Sequence, residues 1–321
     1  MRARATVALR RPDREPEARA PGSLEAGRRR LAEHVFSFDY LRVIAACGIV
    51  WFHADEVSPR RGIGYAGLPV FAAVAFFLLG RGVAKDSLGS FAAKRMRRLA
   101  VPFVAWSAFY TVERAVLNRG VELHAGLLDL LAGPEVHLWY LPFLLVASLA
   151  VAAVVRATRG SWLAYGSMSA CGVWIFSAQA LGAQLDKPLG QWWYALPAAL
   201  FGLGLGHTRA RRERWRFAAL VTPAVLLLAW HSRAARPVDA LSYALAIPLV
   251  VVATLFDLPR SASVERLSEL TMGVYLLHPF VIDVCYKIGI ASVPVRVGVG
   301  ICGAALATAA LRRTGLGRAV T

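Results

Sequence analysis

Acidic residues are scarce in this chain: 20 Asp and Glu stand against 37 Lys and Arg over 321 residues, a formal net charge of +17. Cysteine is scarcer still. The four, Cys47, Cys171, Cys285 and Cys302, show no C-x-x-C or other paired spacing, which argues against a disulfide framework or a thiolate metal cage and leaves them as packing residues. Charged residues make up only 18% of the chain against 57% hydrophobic, and a mean hydropathy of +0.50 is too apolar for an ordinary soluble domain of this length. A cleavable leader is not expected, because the first apolar run begins only after a long polar and basic stretch and continues as a spanning helix.

What the chain does have is a series of apolar runs of membrane-spanning length. Ten are read, at about 38–57, 63–80, 99–117, 138–155, 162–181, 192–206, 217–231, 239–256, 270–288 and 292–311. When alternate loops are assigned to opposite sides, 28 of the 37 Lys and Arg fall on the side of the two termini and 9 on the other. That asymmetry is the positive-inside pattern, so the expected fold is all-α: a polytopic membrane protein with about ten transmembrane helices and both termini cytoplasmic. It also accounts for the basic excess without nucleic acid as a partner. Residues 1–35 read as a disordered basic cytoplasmic tail, 36–311 as the ten-helix membrane domain and 312–321 as a short cytoplasmic tail.

Span 1 organises the rest. Its charge-free stretch, Val43 to Phe52, covers only about 15 Å of a hydrocarbon core of about 30 Å, so Arg42 or His53, or both, must lie within the membrane. Eleven residues at about 100° each bring Arg42 and His53 to one face, and Asp39 falls on the same stripe, within reach of the Arg42 guanidinium. Ionisable groups at that depth usually face a bundle interior or a wet path and mark function. Beyond His53, Asp55 and Glu56 reach the outer surface, on a short loop suited to be the rim for an acceptor.

Two further stretches add polar chemistry. Phe91 to Leu99 reads as an amphipathic inner-surface segment whose Lys94, Arg95, Arg97 and Arg98 suit either a phosphate-bearing ligand or anionic lipid. In span 9, Tyr275 and His278 precede Pro279, and a helix starting near Leu270 carries His278 close to mid-membrane, where it can approach the polar wall of span 1. Trp139 and Tyr140 open span 4 and read as an interfacial belt or, alternatively, a sugar-stacking platform. Gly202, Gly204 and Gly206 suit close helix packing, since no strand precedes them to make a phosphate loop.

Taken in order, these residues resemble the acyltransferase 3 family of bacterial membrane O-acyltransferases. The carriers are Phe38 to Arg42 with His53 following after ten intervening residues, Arg95-Met96-Arg97-Arg98 followed by Pro102, Leu138-Trp139-Tyr140, and Tyr275 to Pro279, together spanning about 36–311. The resemblance implies a multi-pass protein of the bacterial inner (plasma) membrane, an O-acetyltransferase that takes acetyl-CoA or another acyl-CoA as cytoplasmic donor, with no metal. The acceptor it implies is a carbohydrate or glycolipid hydroxyl of the cell envelope, reached from the outer side among membrane lipid. It assigns catalysis to His53, support to Arg42, and donor phosphates to Arg95 and Arg98; the residues themselves add Asp39 beside Arg42 to the catalytic candidates and Lys94 and Arg97 to the donor site. Asp55, Glu56, Trp139, Tyr140, Tyr275 and His278 are candidates for the substrate side. Where the family often has Phe-Phe-x-x-Ser-Gly, this chain has Phe76-Phe77-Leu78-Leu79-Gly80-Arg81, so the Ser is replaced and a cation appears. A neutral His53 would act as general base on the acceptor hydroxyl, or carry the acyl group itself. The alternative from another class is a translocase of polysaccharide or lipid-linked sugar, against which the chain lacks paired, broken-helix halves.

Overall fold

The computed structural model describes residues 34–55, 57–82, 87–117, 126–158, 166–167, 169–171, 185–208, 210–232 and 237–321, so the expected N-terminal tail lies almost wholly outside the described residues. Residues 36–321 form one compact unit, distinct from 1–35.

Every regular element among the described residues is helical. In chain order these are α1 (Ser37–Ala54), α2 (Arg61–Tyr65), α3 (Gly67–Gly82), α4 (Leu88–Arg95), α5 (Val101–Val116), α6 (Leu127–Ala132) and α7 (Tyr140–Ala157). There follow α8 (Leu189–His207), α9 (Arg211–Ser232), α10 (Pro237–Leu255), α11 (Ala262–Lys287), α12 (Val293–Leu311) and α13 (Gly315–Val320). All the expected spans coincide with one of these except 162–181, most of which lies outside the described residues.

Among the described residues, five helical stretches are long and apolar enough to cross a bilayer: Arg61–Gly82, Tyr140–Ala157, Val238–Leu255, Ala262–Lys287 and Val293–Leu311. Large apolar side chains also stand on the outward faces, with Leu220 67% and Leu306 72% exposed. Repeated over several helices, such exposure would be costly in contact with water and costs nothing in hydrocarbon. The protein is an all-helical membrane protein.

Small residues let the inner helices approach closely. A Cβ on Gly48 of α1 would lie 2.8 Å from the Gly64 carbonyl oxygen, and one on Gly64 would overlap the Gly48 carbonyl in return. Cβ atoms on Gly202 and Gly206 of α8 would likewise overlap the Ala73 and Phe77 carbonyls of α3, so the alternating glycines of span 6 serve packing. These contacts hold α2 and α3 against α1 and α8 against α3, while α11 and α12 close the other side of α1.

Two boundaries differ from the sequence reading. Helix α11 begins at Ala262, eight residues before Leu270, because Ser261 caps it and Arg260 pairs with Glu265 at 2.7 Å. The C-terminal tail carries a short helix, α13, that packs on α5, with Trp106 Nε1 donating to the Val320 carbonyl at 2.9 Å.

Candidate active site

Helix α1 is unbroken from Ser37 to Ala54, so Arg42 and His53 share a stripe but stand eleven residues apart, about 16 Å along the axis. They cannot act on the same atoms. At the near end, the buried Asp39 accepts from Ser268 Oγ of α11 at 2.8 Å. Asp39, Arg98 and Tyr140 are the charged and phenolic groups that act electrostatically on Arg42. The structure therefore groups Arg42 with the basic segment, away from the imidazole further along its own helix.

That segment is built from α4 followed by a π turn at Met96–Ala100 that leads directly into α5. The wider i→i+5 turn delays the helical rotation within the basic run, and such turns recur at functional positions. Arg95 lies over the Phe91 ring at 5.2 Å, and Arg156 of α7 approaches the same ring at 5.9 Å. Lys94, Arg97 and Arg98 are exposed. Burial, and next the Arg98 guanidinium, lower the Arg95 pKa from its ordinary value, a load that a bound anion would relieve.

At the far end of α1 stands an imidazole cluster. The His53 and His278 rings lie 5.0 Å apart between centroids, and His137, from the turn before α7, lies 5.6 Å from His278. His137 and Tyr140 both flank Tyr275, at 5.5 and 5.7 Å. Tyr275 is committed elsewhere: its hydroxyl donates to the His137 backbone carbonyl at 2.5 Å, tying α11 to the turn that opens α7. Tyr110 makes the matching tie from α5, donating to the Leu276 carbonyl at 2.7 Å.

The protonation of His278 follows from its partners. Its Nδ1 lies 2.8 Å from the Tyr275 carbonyl and 3.2 Å from the Val274 carbonyl, both acceptors, so Nδ1 carries the proton and Nε2 is a bare acceptor in the neutral ring. His278 is 0% exposed and His137 2%, whereas His53 is half-buried, the most accessible of the three rings.

Helix α1 is held behind His53 by α12. Arg296 Nη2 donates to the Ala54 carbonyl at 3.0 Å, and its guanidinium stacks over Tyr286 at 4.3 Å. Phe52 stacks on Tyr65 of α2 at 4.4 Å and lies under Arg61 at 5.3 Å.

The other substrate-side candidates divide. Asp55 closes the turn after α1, accepting from Ser58 N at 3.1 Å and Trp51 Nε1 at 3.4 Å, so its carboxylate has a structural task. Glu56 lies outside the described residues. Trp139 and Tyr140 are buried, so the interfacial-belt reading gives way to a place inside the bundle. The sequence reading missed His137. Its only local signal was an imidazole directly before Leu138-Trp139-Tyr140, and what marks it is contact with residues of α5 and α11 far along the chain.

Among the described residues no three His, Cys, Asp or Glu are arranged to hold a metal ion. No curated protein and no solved structure matches the chain. The family model of acyltransferase 3, described as an acyltransferase domain, matches residues 35–313, nearly the whole helical unit including both ends of α1, the basic segment and the imidazole cluster. On that match the chain belongs to the acyltransferase 3 family of acyltransferase domains.

Proposed function

We propose that this membrane acyltransferase crosses the bacterial inner membrane ten times, with both termini cytoplasmic, and moves an acyl group, acetyl in the first place, from cytoplasmic acyl-CoA to a hydroxyl of a cell-envelope carbohydrate or lipid-linked sugar. The observation that carries the reading is a line of polar and aromatic groups joining the two ends of α1. It runs from Arg98 to Arg42 and Tyr140, then from Tyr140 to Tyr275, and on to His278 and His53.

Phosphates cannot enter hydrocarbon without cations, so the nucleotide end of the donor stays at Arg95, Arg98 and Arg42, with Lys94 and Arg97 adding exposed charge. The separation of about 16 Å between Arg42 and His53 is left to the narrow pantetheine arm, whose amides suit the hydroxyls and imidazoles along the line. At its tip the thioester meets His53. A neutral His53 takes the proton from the acceptor hydroxyl, and the bare Nε2 of His278 stands ready to accept from the other His53 nitrogen, fixing which lone pair faces the substrate. Asp39 holds the base of α1 through Ser268 and balances part of the Arg42 charge.

The test uses the purified full-length protein in lipid nanodiscs, radiolabelled acetyl-CoA and total envelope glycan as acceptor. Replacing His53 by Ala should lower label transfer about 10²–10⁴-fold, the usual worth of a general base, with acetyl-CoA binding retained. Undiminished transfer by H53A would remove His53 from the chemistry. A wild-type protein that binds no acyl-CoA would point to a translocase.

A further inference from the structure

In the reading above, the thioester carbonyl becomes an oxyanion near His53, and each group first suited to stabilise it is engaged or distant. Arg42 stands about 16 Å away along α1. Tyr275 gives its hydroxyl hydrogen to the His137 carbonyl, and His278 gives its Nδ1 hydrogen to backbone carbonyls of its own helix. His137 is different. Its ring lies beside the Leu276 carbonyl, yet neither nitrogen completes a hydrogen bond with any described residue, although the side chain is 2% exposed.

A neutral imidazole always carries one N–H, so His137 brings into the cluster a donor whose nearest acceptor, the Leu276 carbonyl, already takes the Tyr110 hydroxyl and leaves the ring without a well-formed hydrogen bond. Buried polar groups are rarely left unmatched, and those that are often have a catalytic task. The donor is also well held. The His137 carbonyl is gripped by Tyr275, and its ring packs edge-to-face against Tyr110 at 5.3 Å and Tyr275 at 5.5 Å. A donor fixed before the reaction, in a site with little water, is what stabilisation of developing charge requires.

We infer that His137 is a further catalytic residue, whose ring N–H donates to the oxyanion formed from the acyl thioester. The inference rests on the acyl-CoA reading. The acceptor oxygen attacks the acyl carbon while its proton passes to the lone pair of His53. The π pair of the C=O bond moves onto oxygen, where His137 N–H receives it. Collapse restores C=O and breaks C–S; the sulfur leaves with that electron pair and takes the proton back from His53. No oxidant, reductant or metal is needed.

The experiment compares H137F, H137L, H137N and H137Q with wild type and H53A in nanodiscs, measuring CoA thiol release from acetyl-CoA with envelope glycan present, acetyl-CoA affinity and the unfolding midpoint. Because the ring makes no well-formed hydrogen bond within the described protein, Phe or Leu should leave the midpoint and donor affinity near wild type while kcat falls about 10²–10³-fold. Asn or Gln, whichever places an amide N–H where the ring had one, should recover at least about tenfold of that loss. H137F and H137L turning over within about threefold of wild type, with H53A inactive, would overturn the inference alone, as would loss of activity that only tracks loss of folding. Wild type without thiol release, or H53A as active as wild type, would instead overturn the reading beneath it.

Discussion

His53 and His278 face each other across α1 and α11 with ring centroids 5.0 Å apart and planes inclined by 53°. Because the Nδ1 proton of His278 is held by the Tyr275 carbonyl, its remaining nitrogen can only accept while the ring is neutral. This is the relation a backbone-anchored orienting group has to a base, and loss of such partners typically costs about 10–100-fold in activity. H278F should therefore lower kcat by about that factor while leaving acetyl-CoA affinity unchanged. Equal kcat in H278F and wild type would show that His53 keeps its tautomer without help.

Arg42 and Arg98 come from separate elements and act on each other as like charges. Two guanidiniums held that way are destabilising until an anion lies between them. R42A and R98A should each raise the acetyl-CoA dissociation constant, and if they grip one phosphate the double variant should lose less than the sum. A coupling of about 0.5–3 kcal/mol is the range for groups sharing a partner. The cycle is measured by acetyl-CoA titration at fixed salt, since raised ionic strength alone screens exposed Arg98. Additive losses would place the two cations on different parts of the donor.

How much of this was legible in the sequence depends on the range of the interaction. The shared stripe of Arg42 and His53 was readable because the helical repeat is local, and α1 is one unbroken helix. Gly202 and Gly206 were readable as packing residues for the same reason, and each meets a carbonyl of α3. Span 1 alone could not reveal that its two polar ends serve different tasks, because Arg98 and Tyr140, the neighbours that claim Arg42, lie on other elements. Tyr275 looked like an available hydroxyl until its partner, the His137 carbonyl, was known. Trp139 and Tyr140 have the composition of an interfacial belt, and only the packing of α7 against the bundle shows them buried. His137 itself has no periodic or spacing signal, since its place is set by Tyr110 and Tyr275 from two other helices.

The contact between Gly48 and Gly64 sets how α1 sits against α2, and both sides of it are backbone. A methyl group there cannot be met by a rotamer change. G64A should force the helices apart and cost about 1–3 kcal/mol, the usual penalty of overpacking, seen as a lower unfolding midpoint in nanodiscs. Turnover should fall with it, because the same displacement moves Tyr65 from under Phe52, the neighbour of His53. G82A, at a position where a Cβ meets nothing within 4 Å, is the control and should leave the midpoint unchanged.

Arg296 reaches from α12 to the Ala54 carbonyl, one of the terminal carbonyls that a helix leaves without an internal partner. Its second arm, Nη1, donates to the Ile290 carbonyl at 3.2 Å, so one guanidinium joins the end of α1 to the loop before α12. Hydrogen bonds from charged donors are worth about 1.5–3 kcal/mol, and R296A should lower the unfolding midpoint accordingly. The effect on catalysis should exceed what lost stability explains, because Ala54 adjoins His53 and small misplacements of a catalytic group cost up to about 10²-fold. R296K can serve only one of the two carbonyls at a time and should recover stability better than turnover. Wild-type turnover in a folded R296A protein would show that Tyr286, whose hydroxyl lies 3.4 Å from the same carbonyl, is enough to hold His53 in place.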